Sequence, residues 1–183
     1  MIIAGIDYSL TSPSVCIHDG EKWDHGKCKF YYLAKKKSNI IETNQFYGSE
    51  YKDFNSDSHR YDNLSSWVLN ILSANGVQRC FIEGYSYGSV GRVFQIGENT
   101  GVLKHAMWKK SFQYDVFAPT EIKKFATGKG NANKLKMYES FVSETGIDIR
   151  FILDIKNENN WNPISDIIDA YWIAKLGNEK LNG

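Results

Sequence analysis

Asp166 and Asp169 stand three residues apart in Asn162-Pro163-Ile164-Ser165-Asp166-Ile167-Ile168-Asp169-Ala170. On a helix that spacing puts both carboxylates on one face, about 5–6 Å apart at Cβ. A solvated acidic face near a helix N-terminus, where the dipole favours Asp, is the ordinary reading of such a pair. Here the neighbours are Ile164, Ile167, Ile168, Ala170 and Tyr171, and carboxylates set in apolar sequence need a cation or a hydrogen-bond partner. Two more acids close strand-like runs: Asp7 ends Ile2-Ile3-Ala4-Gly5-Ile6, and Glu83 ends Cys80-Phe81-Ile82. If those strands are neighbours, four carboxylates meet at one sheet edge. Ligation by oxygen alone selects Mg²⁺ or Mn²⁺ over zinc. Two such ions about 3.5–4 Å apart suit in-line phosphodiester cleavage, so the expected chemistry is metal-assisted phosphodiester hydrolysis.

The elements that must position these acids can be read from periodicity and turn residues. Val15 to His18 and Lys29 to Leu33 are strand-like and separated by Asp19-Gly20 and a polar stretch, which predicts an antiparallel meander with the first strand. Lys35-Lys36-Lys37 marks its exit. Residues 38–61 show no clear period and read as a long surface excursion or a disordered insertion. Leu64, Trp67, Val68, Ile71 and Leu72 form a helical stripe, with Asp62 or Asn63 able to cap it and Asn75-Gly76 able to stop it. A fourth strand ends at Glu83 and a fifth spans 114–118. Helices are expected over 92–109, from Pro119, over 133–143, and from Asn162-Pro163 to Gly177.

Composition narrows the setting. The 183 residues are 42% hydrophobic and carry 22 Lys and Arg against 21 Asp and Glu, which suits one domain spanning 1–183 and gives no bulk bias toward a polyanion. Locally the balance differs: from Lys104 through Lys136, eight lysines face only Asp115 and Glu121, a charge of +6. Within it, Lys129-Gly130-Asn131 would let backbone amides approach a phosphate. Three widely spaced cysteines, Cys16, Cys28 and Cys80, exclude a disulfide framework and CxxC motifs. With no long apolar run and no leader-like start, the expected setting is the cytoplasm, away from membranes.

Ile2-Ala4-Gly5-Ile6-Asp7-Tyr8-Ser9, Ile82-Glu83-Gly84, and Asn162 to Ala170 with Ile173-Ala174 together resemble the RuvC-type Holliday junction resolvases of the ribonuclease H-like superfamily. Ile96-Gly97-Glu98-Asn99-Thr100-Gly101-Val102 is similar to that family's second helix. Pro119 to Lys123 with Gly130 to Lys134 is similar to its basic loop and helix. A Gly-Ile-Asp strand also opens sugar-kinase and actin-like ATPase folds, which need two such domains and more chain.

The resemblance implies a ribonuclease H-like α/β fold with a mixed five-stranded sheet, three antiparallel strands and then parallel ones, flanked by helices. It implies Asp7, Glu83, Asp166 and Asp169 as ligands of two Mg²⁺ ions, with Mn²⁺ able to substitute, and Lys134 beside the scissile phosphate. Lys123 matches a second functional lysine, and Lys124 and Lys129 join it as DNA contacts. Tyr85 and Tyr87 are alternatives for an aromatic wedge, because the loop after Glu83 does not align cleanly and the step to Gly97 is one residue short. The implied substrate is branched DNA, above all four-way junctions, cut by paired symmetric nicks that leave 5′-phosphate and 3′-hydroxyl ends. The implied assembly is a homodimer. A nuclease for structured RNA, hybrids or flaps and a non-catalytic junction-binding protein are the alternatives.

Overall fold

The five residues of β1 (Ile3–Asp7) are all buried, because the strand lies in the middle of a sheet covered on both faces. The computed structural model describes residues 1–85 and 91–183. β2 (Ser14–His18) and β3 (Lys29–Ala34) follow as the expected antiparallel meander. β5 (Arg79–Glu83) lies parallel to the other side of β1, and β6 (Gln113–Phe117) lies parallel to β5.

A sixth strand corrects the expected count. β4 (Phe46–Glu50) pairs in parallel with β3 at the sheet edge, giving the order β4-β3-β2-β1-β5-β6. The 38–61 segment is therefore partly sheet. Its strand is held by Phe46 stacked on Phe30 and Tyr47 stacked on Tyr31, both with ring centres 4.9 Å apart. Gly48 admits the Tyr32 side chain, whose hydroxyl would lie 2.7 Å from a β-carbon there. Two exposed residues at its end and no alternation of polar and apolar side chains hide this strand from pattern reading.

The helices bury opposite faces. α1 (Asp57–Ala74) and α2 (Val93–Lys109) cover one side of the sheet, where Leu64, Val68, Leu72, Leu103 and Met107 join Ala4, Ile6, Cys80 and Ile82. α3 (Pro119–Thr127), α4 (Lys134–Thr145), the short α5 (Ile149–Ile152) and α6 (Ile164–Asn182) lie on the other, with Ile3, Phe30 and Phe81.

Two helix ends differ from expectation. α1 starts earlier, at Asp57, because Ser56 Oγ caps it by accepting the His59 amide at 3.1 Å. α6 runs past Gly177, because that glycine receives the Phe81 ring: a β-carbon there would lie 2.5 Å from Phe81 Cγ. Gly177 is a packing residue and not a stop. The three cysteines are buried and free. Among the described residues no helix is long and apolar enough to cross a membrane.

Candidate active site

Two adjacent parallel strands bring the first two acids together. Ile6 pairs with Ile82, so the next residues, Asp7 and Glu83, stand side by side at the strand ends. Alternation along a strand turns both to the face of Ile3, Gly5 and Phe81, which is the face that α6 covers. Gly5 lets α6 sit directly on β1, since a β-carbon at Gly5 would lie 2.7 Å from Ala174 Cα. With the helix seated there, its first turns bring Asp166 and Asp169 over the same edge.

The four carboxylates act on one another electrostatically. Burial raises Asp7 well above the ordinary carboxylate range, and Asp166, Glu83 and Asp169 raise it further while Lys134 opposes them. Asp169 is likewise raised by burial and by Glu83 and Asp166, against Lys123 and Lys134. Burial pushes Glu83 up to about 7, with Lys123 opposing and Asp166 adding to the rise. Asp166, only 6% exposed, is raised by burial but eased by hydroxyls. Ser12 Oγ donates to its Oδ2 at 2.8 Å, and Ser165 Oγ donates to the same oxygen at 3.4 Å.

The other expected site residues divide into those near the acids and those apart. Lys123, half-buried on α3, and Lys134, at the start of α4, are the cations that act on the carboxylates. Asn133 holds the α4 end in place by accepting the Lys136 amide at 3.0 Å. Lys124 and Lys129 are exposed at the α3–α4 corner. Tyr85 is exposed at the rim, with Lys104 Nζ 4.9 Å from its ring centre. Tyr87 lies outside the described residues.

A cleft of about 300 Å³ opens over Asp7 and Glu83 and is lined also by Ser9, Thr11, Tyr85 and Arg92. Sequence reasoning passed over Ser12, Thr11 and Arg92. The run Ser9-Leu10-Thr11-Ser12 directly after a strand-ending acid is the signal that could have found the first two. The loop they form is clamped from outside: Tyr51 Oη and Arg60 Nη2 both donate to the Leu10 carbonyl, at 2.7 and 2.5 Å, and Arg60 Nε donates to Tyr51 Oη at 2.8 Å.

Among the described residues no three His, Cys, Asp or Glu are arranged to close on one ion. The chemistry of the donor set nevertheless fits hard divalent cations. Buried carboxylates that repel one another ionise together only when positive charge is brought among them, and their oxygens suit Mg²⁺ or Mn²⁺.

A family model described as crossover junction endodeoxyribonuclease RuvC matches residues 32–174. That span contains Glu83, Lys123, Lys134, Asp166 and Asp169, while Asp7 precedes it. The chain is 26% identical over 148 residues to the crossover junction endodeoxyribonuclease RuvC of Chlamydia muridarum, covering 80% of this chain and 82% of that protein. Its fold matches Thermus thermophilus RuvC in complex with Holliday junction substrate at a TM-score of 0.59 and 16% identity, covering 97% of each chain. It also matches the fowlpox virus resolvase in complex with Holliday junction DNA, at 0.55 and 16%, over the full length of both.

Proposed function

Because the chain belongs to the RuvC family of crossover junction endodeoxyribonucleases, we propose that it resolves four-way DNA junctions by paired symmetric nicks at the Asp7, Glu83, Asp166 and Asp169 site. The observation that carries this reading is the meeting of two strand-ending acids with two helix acids at one sheet edge, beside Lys123 and Lys134. Family nucleases depend on divalent metal. We read the ions here as two Mg²⁺, replaceable by Mn²⁺, which when bound supply activation of the attacking water and stabilisation of the leaving oxygen.

The chain's own residues do the rest. The four carboxylates hold the positive charge. Ser12 aims Asp166 and favours its ionised form, because its hydroxyl donates to the carboxylate. Lys134 offsets negative charge developing on the phosphate. Lys124 and Lys129 on the exposed α3–α4 corner contact backbone phosphates. Tyr85 at the rim, with Tyr87 nearby in sequence, stacks on an unpaired base at the junction centre, worth roughly 1–3 kcal/mol per base.

Branched DNA as the partner is supported by the junction complexes of the Thermus and fowlpox proteins. Two symmetric cuts require two sites related by a two-fold axis, so the working form is a homodimer. Support comes from α2, which exposes Phe94, Val102 and Trp108. We place the whole chain as one nuclease domain acting in the cytoplasm.

The test is a cleavage panel. An end-labelled four-way junction, a flap, a plain duplex and an RNA–DNA hybrid are incubated with and without Mg²⁺, beside Asp169→Asn. Paired nicks in the junction that need both metal and Asp169 are expected. Preference for the hybrid, or tight binding without cleavage under any divalent ion, would overturn the assignment.

A further inference from the structure

The three lysines that follow β3 have no part in the site described above, yet two of them wall a second hollow that adjoins it. This groove, about 210 Å³, is lined by Lys35, Lys36 and Asn39 together with Asn160 and Asn162, and by the apolar Leu33, Ala34 and Pro163. Thr11 lines both the groove and the cleft over Asp7 and Glu83, so the two hollows meet across one residue. Ser12, the donor to Asp166, lines the groove as well.

The groove's charge is uncompensated. Among the described residues neither Lys35 nor Lys36 has a carboxylate within ion-pair distance, whereas Lys27, Lys136, Lys175 and Lys180 each do. Lys35 is positioned by the Tyr51 ring, whose centre lies 5.2 Å from its Nζ. Asn39 is 7% exposed and accepts the Ser38 hydroxyl on its side-chain oxygen at 3.2 Å. Its NH₂ donates to no described residue, and Asn160 and Asn162 line the same groove. Two lysines and three asparagines around one groove, with no aromatic ring among its lining residues to stack a base, suit a sugar–phosphate backbone and not base reading.

Resting on the junction-cutting reading, we propose that this groove binds the cleaved strand's backbone on one side of the cut, with Lys35 and Lys36 each on a phosphate, and that the strand crosses Thr11 into the cleft. The basic α3–α4 segment and this groove would then hold DNA from two directions. Each lysine that neutralises a phosphate releases counterions, so the contacts are legible in the salt dependence of binding.

Junction binding is titrated by fluorescence anisotropy in EDTA across a NaCl series. The wild-type chain is compared with Lys35→Gln/Lys36→Gln and with Lys22→Gln, which lies beyond β2 at the opposite end of the sheet. The slope of log Kobs against log[NaCl] is expected to become shallower by about two in the double variant, at roughly 0.9 per contact, and to stay unchanged in Lys22→Gln. Phosphate-ethylation interference should show the lost contacts next to the cut. A double variant that keeps the wild-type slope overturns this groove alone. A wild-type chain that does not bind the junction overturns the functional reading, and the groove with it.

Discussion

Gly5 of β1 lies directly against the backbone of Ala174 in α6, so close that a β-carbon on Gly5 would stand 2.7 Å from Ala174 Cα. Two residues beyond Gly5 is Asp7, and one turn before Ala174 are Asp169 and Ala170. The contact therefore sets the height of two carboxylates above two others. Gly5→Ala should push α6 off the sheet, at about 1–3 kcal/mol for overpacking. Displacement of Asp166 and Asp169 by about 1 Å should lower junction cleavage about 10²-fold. Calorimetry and single-turnover cleavage check both, and a variant that keeps wild-type melting and rate would show that the helix is seated by other contacts.

The Ser12 hydroxyl gives a second, milder handle. Its bond to Asp166 favours the ionised carboxylate, so Ser12→Ala should raise the Asp166 pKa further. A hydrogen bond to a charged group contributes about 1.5–3 kcal/mol, equivalent to roughly one to two pH units. The acid limb of the cleavage profile should move up by that amount, and the metal concentration for half-maximal rate should rise. Ser12→Thr keeps the donor and should restore both. An unmoved acid limb in Ser12→Ala would remove the hydroxyl from the account.

What the sequence made legible follows from where the forces are local. β1 and β5 announce themselves because strands buried on both faces must be apolar throughout, and their terminal acids break that run visibly. The α6 acids stand out against isoleucines for the same reason. The Ser12–Asp166 bond joins residues 154 apart, and no local pattern encodes it. β4 stayed hidden because an edge strand needs only Phe46 on the core. Gly177 misled because a glycine that admits a ring and one that ends a helix look alike until the Phe81 side chain is seen beneath it. The Tyr51–Arg60 clamp on Leu10 comes from a stretch that reads as excursion, since both side chains hold a single backbone carbonyl.

Proton and metal should compete for the same oxygens. Glu83 is raised to about 7, and Asp7 and Asp169 are raised well above their ordinary range. Between the ordinary carboxylate range and these raised values the native state binds more protons than the unfolded chain, so their contribution to stability falls as pH rises. His18, lowered chiefly by burial, acts in the opposite sense below its ordinary 6.5. Differences from Asp7→Asn cancel that background. In EDTA at pH 8, Asp7→Asn should be more stable than wild type by about 1–3 kcal/mol, and the gap should shrink at pH 5. Mg²⁺ should raise the wild-type Tm at pH 8 much more than at pH 5 and should raise the variant's less. Equal metal response at both pH values would mean that the ions bind elsewhere.

The outer face of α2 carries the last prediction. Phe94 is 85% and Trp108 73% exposed, and with Gly101 between them they recur every seven residues, so they share one face of the helix. Gly97 and Gly101 have nothing within 4 Å of where a β-carbon would stand, which leaves the backbone itself open to close approach. Large rings left in water beside a bare helix backbone suit a second copy of the same helix, related by a two-fold axis so that one patch meets itself. Light scattering should give twice the chain mass for wild type and the chain mass for Phe94→Glu/Trp108→Glu. Circular dichroism should be unchanged, since both rings project away from the chain's own core. The monomer should still nick junctions but accumulate singly nicked product, because the second cut would await a separate encounter. A monomeric wild-type chain that makes paired nicks would show that DNA, and not α2, brings the two sites together.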